Sequence, residues 1–463
     1  MTEETESEYT LKKAVFYSFG GFTDVIFLQF FTFLIFTFYF AVVELHTGLI
    51  SLGFIIWSIW NAFNDPMLGA VSDRSNLKMG RRKPFIIIGL IPLLVVNVLL
   101  FTAPRNPKPL AFIYFITIII VWEFFYTMYS LNQTSLFPEM FRDLDQRARA
   151  NTSIQFFQVI SLLIAFLLPG MFIDQVDDPG SYGQFAIAAI VISIICAIGG
   201  FIFIMFGLKE RVEFSRDHEK VPGFIQSLKY TFGYKSFKLY AFGNFAIWYA
   251  FNMIPVIMPL YGLVCLGESD LFIISLMLGV GFVAAAIFIF PWRLIVKKLG
   301  AKGSYILAMV VFIITLMPLM FIDSVLLGFV FFFILGFGLA GVLIVRDITI
   351  AAIIDEDELN TSVRREGNFY GINGFIVKFS NVVVFLSIAL VFIGSDWAIF
   401  DVTTITSATD FGLRSLMVIF PTILLIIGIV AMRFFPINKE KYDKLTEDAR
   451  KLHSEKMVKA ISS

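Results

Sequence analysis

Six ionisable side chains lie inside long apolar stretches of this chain and are its first candidates for chemistry: Asp24, Asp65, Glu123, Arg346, Asp347 and Lys378. A charge at bilayer depth costs on the order of 2.5 kcal/mol or more, so each predicts a function and a partner. Asp65 stands in WNAFNDP, with Asn61 one turn earlier and Asn64 beside it. The four-residue step puts Asn61 and Asp65 on one helix face, where they offer oxygens to a cation. Pro66 has no N–H to return to the carbonyl of Ala62, which frees that oxygen for the same cluster. A proline-kinked helix with a satisfied polar pair is the structural alternative. Lys378, in GFIVKFSN, requires a counter-charge, and Asp65 is the natural candidate. Glu123, Tyr126, Thr127 and Ser130 follow by three- and four-residue steps, so a carboxylate, a phenol and two hydroxyls share one face. That set suits a polyhydroxylated ligand, or packing between helices. Asp24, Glu123, Tyr126, Ser130, Gln155, Asn244 and Trp248 are assigned to a solute path. Arg346 and Asp347 are sequence neighbours, expected not to face each other, and Arg346 reads as an interface anchor.

The elements that must position these residues are set by composition. Of 463 residues, 58% are apolar and 16% charged, against about 45–50% and about 25% in soluble domains. The apolar residues fall in blocks of about 20, the length that crosses a hydrocarbon core of about 30 Å. Soluble enzyme classes are thereby excluded. Hydropathy predicts an all-α membrane protein with twelve transmembrane helices, at residues 14–40, 47–72, 83–103, 109–133, 151–174, 183–208, 236–263, 270–294, 303–323, 325–350, 366–393 and 411–435. The domain reading is a cytoplasmic N-terminus (1–13), a six-helix half (14–208), a cytoplasmic linker (209–235), a second six-helix half (236–435) and a cytoplasmic tail (436–463). GRRK after span two and VKKLGAKG after span eight sit at equivalent positions. Two six-helix halves with matching basic loops resemble the major facilitator transporters.

Lys plus Arg and Asp plus Glu are both 36, so the net charge is zero and predicts no nucleic-acid partner. The distribution is lopsided: 31 of the 36 basic residues fall in the tails and in alternate loops. That sorting predicts a multi-pass protein of the cytoplasmic membrane with both termini in the cytoplasm. The acidic N-terminus, MTEETESEYT, lacks a signal-peptide pattern, so the first apolar block is read as a retained helix. Cys196 and Cys265 lie in or beside apolar blocks, and His46, His218 and His453 are scattered, which predicts no disulfide framework and no metal or other cofactor. The charged tail has helical periodicity and reads as a solvated or membrane-surface helix.

Three segments carry a resemblance: WNAFNDPMLGAVSDRSNLKMGRRKPF at 60–85, IIDEDELNTSVRREGNFYGINGFIVK at 353–378 and, more weakly, KAVFYSFGGFTD at 13–24. Together they are similar to the glycoside-pentoside-hexuronide:cation symporters, the group of the melibiose permease, within the major facilitator superfamily. The resemblance implies a cation or coupling site at Asp65, Asn61 and Lys378. It also implies a cytoplasmic gate at Asp73, Arg74, Arg81, Arg82, Arg364, Arg365 and Glu366. Two departures stand out. Asn61 replaces a usual second aspartate, so Asp65 and Lys378 sum to zero and predict weak Na⁺ dependence unless Glu123 or Asp24 adds charge. The family's sugar-binding aspartate aligns with Ser130 and its tryptophan platform with Thr134, so the galactoside site is not reproduced. Glu123 lies seven residues away, about 10 Å at ~1.5 Å per residue, too far to replace that carboxylate without shifting the ligand.

The function expected is secondary transport of a sugar, glycoside or related small organic solute by alternating access, with co-transported H⁺ or Na⁺. The partners expected are the solute and the lipid bilayer, with the protein a monomer. Two alternatives stay open: a carrier of lysophospholipids or other zwitterions, and a non-transporting membrane sensor or scaffold.

Overall fold

The computed structural model describes residues 3–73, 75, 79–80, 82–141, 144–208, 229–361 and 366–462, and among these residues it forms helices and no β-strand. In chain order they are α1 (Glu3–Thr37), continued by a π-helical turn (Phe38–Val42), α2 (Thr47–Asp73), α3 (Lys83–Leu99), α4 (Lys108–Ser135), α5 (Leu144–Gly170) and α6 (Tyr182–Ile202). There follow α7 (Lys235–Cys265), α8 (Leu271–Leu316), α9 (Val325–Thr361), α10 (Glu366–Gly394), α11 (Ser407–Arg414), α12 (Phe420–Arg433) and α13 (Lys439–Ser462). Among the described residues nine helical stretches are long and apolar enough to cross a membrane, and α3 adds a shorter apolar one.

Two features of the spans have local causes. The expected spans 270–294 and 303–323 are two helical segments of α8 that meet at a kink at Gly300, where φ is 69° and ψ is −176°. Only glycine adopts that φ without strain, and a Cβ there would stand 3.1 Å from the Lys439 backbone. The span expected at 325–350 ends where hydropathy falls, yet α9 runs on to Thr361. Its acidic extension is held by the tail helix: Lys441 of α13 pairs with Glu356.

The helices turn apolar faces outward. On α6, Ile187, Ile190, Ile194 and Ile198 recur at three- and four-residue steps and are 44–57% exposed. In water such a stripe would be costly, and in hydrocarbon it is the solvated face. Polar side chains are buried instead, among them Asn61, Asn64, Glu123 and Thr127. This reverses the usual soluble arrangement.

The chain packs as two compact units. The first takes residues 1–221, 255–279 and 388–410, and the second takes 222–254, 280–387 and 411–463. In the first, α1 packs on α5 and α6, and α4 packs on both α2 and α3. Gly89 of α3 allows a close approach to α4, because a Cβ there would lie 2.9 Å from the Tyr129 backbone nitrogen. That contact presses α3 onto the part of α4 that carries Glu123, Tyr126 and Thr127.

Candidate functional site

In the first unit α2 and α4 bring their polar faces together. On α2, Trp57, Asn61 and Asp65 follow at four-residue steps, and Asn64 is fully buried beside them. On α4, Glu123 and Thr127 are four residues apart and both buried. The Glu123 carboxyl is engaged at both oxygens: Trp57 Nε1 donates to Oε2 at 3.1 Å, and Thr127 Oγ1 lies 3.1 Å from Oε1. The same Thr127 hydroxyl lies 3.1 Å from Asp65 Oδ1. Asn64 Nδ2 donates to the Glu123 backbone carbonyl at 3.3 Å, fixing the register of the two helices.

The hydrogen count at Thr127 constrains the chemistry. A hydroxyl carries one hydrogen, so it donates to one carboxyl oxygen and can only accept at the other. Satisfying both 3.1 Å contacts takes a proton on one of the two carboxyl groups. The arrangement can therefore hold one proton between two acids.

A second cluster adjoins it. Phe31 stacks on Trp122 (centroids 4.3 Å apart) and Trp122 on Tyr126 (4.8 Å), which makes a three-ring ladder. The Tyr126 hydroxyl lies close to Asp24 of α1 and Ser130 of α4. Among the described residues, Trp60 Nε1, Trp122 Nε1 and Asn64 Oδ1 are buried without a hydrogen-bond partner. Stacked rings beside open donors and acceptors are the means by which proteins hold sugar-like solutes: apolar C–H faces against rings, hydroxyls against polar edges.

Six of the residues singled out in the sequence thus lie together in this unit: Asp65, Glu123, Thr127, Tyr126, Ser130 and Asp24. Asn61 is buried on the same face of α2. Gln155 is exposed on α5. Arg82 is buried at the start of α3. Arg74, Arg81, Arg364 and Arg365, and the side chains of Asp73 and Glu366, lie outside the described residues. Trp57, Trp122 and Phe31 carry parts of the site that sequence reading passes over. Trp57 shows one signal, its place one turn before Asn61 and two before Asp65.

In the second unit Lys378 is half-buried on α10. Asn244 Nδ2 donates to Asn373 Oδ1 at 2.6 Å, and Asn252 Nδ2 to Ser380 Oγ at 3.3 Å, so α7 and α10 share polar contacts. The Arg346 guanidinium lies over the Trp248 ring, 4.8 Å from its centroid. Arg346 and Asp347 do meet, against expectation, with Nε donating to Oδ1 at 2.9 Å. The long arginine side chain folds back where the helix backbone alone would separate neighbours.

Comparison with known proteins gives a consistent result. A family model described as MFS/sugar transport protein matches residues 16–439. An uncharacterised symporter of Bacillus subtilis is 25% identical over 97% of this chain and 96% of its own length. The isoprimeverose transporter of Lactiplantibacillus pentosus is 24% identical over 75% of this chain and 72% of its own. The crystal structure of a nucleoside transporter superposes with a TM-score of 0.66 at 12% identity, covering 91% of this chain and 99% of the other.

Proposed function

The chain belongs to the MFS/sugar transport family, a family of transporters and not of enzymes, and from that premise we propose that it moves a sugar or glycoside together with a proton. The protein is a multi-pass membrane transporter of the major facilitator fold. The sugar class is supported by the isoprimeverose transporter among its relatives and by the ring ladder beside open polar groups. In the proposed cycle, alternating access exposes the solute path to one side and then the other. The proposed setting is the cytoplasmic membrane, with both termini in the cytoplasm, a reading that the sorting of basic residues supports. The proposed working form is a monomer, with no nucleic-acid partner.

One observation carries the choice of proton: the single Thr127 hydroxyl shared by Asp65 and Glu123. Glu123 supplies the second carboxylate that Asn61 removes from α2, so the charge argument against sodium no longer stands alone. The hydrogen bonds replace it. Trp57 donates to one Glu123 oxygen and the Thr127 hydroxyl occupies the other, which leaves that carboxyl poorly placed to coordinate a metal cation through bare oxygens. Asp24 on α1 and Glu123 both lie within electrostatic range of Tyr126 on α4. Between Lys83 and Leu99, α3 carries no titratable group. Lys378 remains in the proposal as a cation within a span of the second unit.

The test is solute uptake into proteoliposomes under an imposed pH gradient or an imposed Na⁺ gradient, with Asp65→Asn and Lys378→Ala variants. The expected result is accumulation driven by the pH gradient in wild type and lost in both variants. Saturable stimulation by Na⁺ at fixed pH refutes proton coupling, and wild-type rates in both variants refute the assignment of the site.

A further inference from the structure

The polar groups gathered between α2 and α4 are of two kinds. A hydroxyl carries acceptor lone pairs besides its hydrogen, and a side-chain amide carries an oxygen besides its N–H groups. Thr127 can therefore turn its hydrogen away from a carboxylate. Asn61 and Asn64 can each present Oδ1, an atom that in Asn64 is buried without a hydrogen-bond partner among the described residues. Asp65 adds carboxylate oxygens. The Trp57 indole differs from all of these, because Nε1–H is a donor and nothing else. It is aimed at Glu123 Oε2, 3.1 Å away, and occupies that oxygen.

Packing holds this donor in place. Trp57 is only 3% exposed. Phe54, three residues earlier on α2, meets its ring at 88° with centroids 6.0 Å apart, and Phe31 of α1 lies at the same separation. Phe54 is backed in turn by Phe115 of α4, with centroids 5.5 Å apart, and Phe31 by Trp122. All four of these rings are buried. An indole redirects its N–H only by moving the whole ring system, and a close-packed surround gives that movement no room. Thr127 is thus a rotor, whereas Trp57 is a fixed donor.

The two candidate coupling ions place different demands on such a site. Hard metal cations are held by bare oxygens on several sides, and a hydrogen aimed into the site opposes them. A proton needs one oxygen to bind and one to receive its hydrogen bond. We propose that Trp57 sets the ion selectivity of the transporter: its locked N–H denies Glu123 Oε2 to Na⁺ and reserves the carboxyl pair for the proton. The proposal rests on the proton-coupled reading and deepens it by naming the side chain that excludes the competing ion. Without that N–H, α2 and α4 offer Na⁺ two carboxylates, the Thr127 hydroxyl and the amide oxygens of Asn61 and Asn64.

The experiment titrates the purified full-length protein with NaCl against choline chloride at constant ionic strength and reads the melting temperature, which a bound ion raises. Wild type should respond equally to the two salts. Trp57→Phe keeps an aromatic ring in the packed site and removes the N–H. Its melting temperature should rise saturably with Na⁺, at an affinity at least roughly tenfold above wild type, the worth of one hydrogen bond to a charged group. Trp57→Leu lacks both ring and N–H and should gain the same response, which keeps the test decisive if Trp57→Phe melts too low to titrate. Adding Asp65→Asn to either variant should abolish the gain, because the ion loses a carboxylate. Variants as indifferent to Na⁺ as wild type would mark Trp57 as a packing residue and overturn the proposal, with the proton reading intact. A gain that survives Asp65→Asn places the ion elsewhere and also overturns the proposal alone. Saturable Na⁺ binding to wild type overturns the proton reading and the proposal with it.

Discussion

Replacing Glu123 tests the shared proton in a way the structure makes quantitative. In Glu123→Gln the amide oxygen can accept from Trp57 Nε1, and the amide N–H can donate to Thr127 Oγ1, which then donates to Asp65. That chain copies the protonated form of Glu123 and leaves no donor facing a donor. Stability should change by less than ~1 kcal/mol, the scale of one ordinary hydrogen bond exchanged for another. Glu123→Ala has no such escape: it strips the partner from a buried indole N–H and costs about 1–3 kcal/mol for that group alone. The functional consequence separates the two kinds of step. One proton moving down one pH unit delivers about 1.4 kcal/mol, which sustains up to about a tenfold solute ratio. Wild type should approach that ratio in proteoliposomes with an alkaline lumen, whereas Glu123→Gln should stay near equal concentrations while still exchanging labelled for unlabelled solute. Accumulation by Glu123→Gln at the wild-type ratio would refute the reasoning, and loss of exchange together with a wild-type melting temperature would show that Glu123 serves the solute instead.

Two further outcomes follow from the same contacts. Thr127→Val keeps the volume of the side chain and removes the hydroxyl that joins Asp65 to Glu123; pH-driven accumulation should fall at least severalfold while the protein still folds, as judged by its melting temperature. Gly89→Leu places side-chain atoms where the Tyr129 backbone nitrogen lies 2.9 Å from a Cβ, so α3 and α4 must separate, at a cost of about 1–3 kcal/mol, with a lower melting temperature and weaker coupling together.

Much of the membrane architecture is legible in the sequence because hydropathy and charge sorting are local signals. A span boundary fails where another force acts: Lys441 of α13 supports an acidic extension of α9 that hydropathy ends early. The site divides along the same line. Asn61 with Asp65, and Glu123 with Thr127, are same-helix pairs readable from four-residue spacing. The bridge from Thr127 to Asp65 crosses two helices, and no spacing rule supplies it. For that reason a charge sum over Asp65 and Lys378 alone leaves out the carboxylate that completes the pair. Arg346 and Asp347 show the opposite limit, since side-chain length overrides the divergence of neighbouring backbone positions.

The central claim is that the Asp65, Thr127 and Glu123 cluster carries one proton with each solute. Its most direct measurement is the pH change in a lightly buffered medium when solute is added to proteoliposomes, without Na⁺ and with the membrane potential clamped. The account predicts solute-dependent alkalinisation outside at one proton per solute, abolished in Glu123→Gln. Uptake with no proton movement, restored or raised by Na⁺, would contradict it.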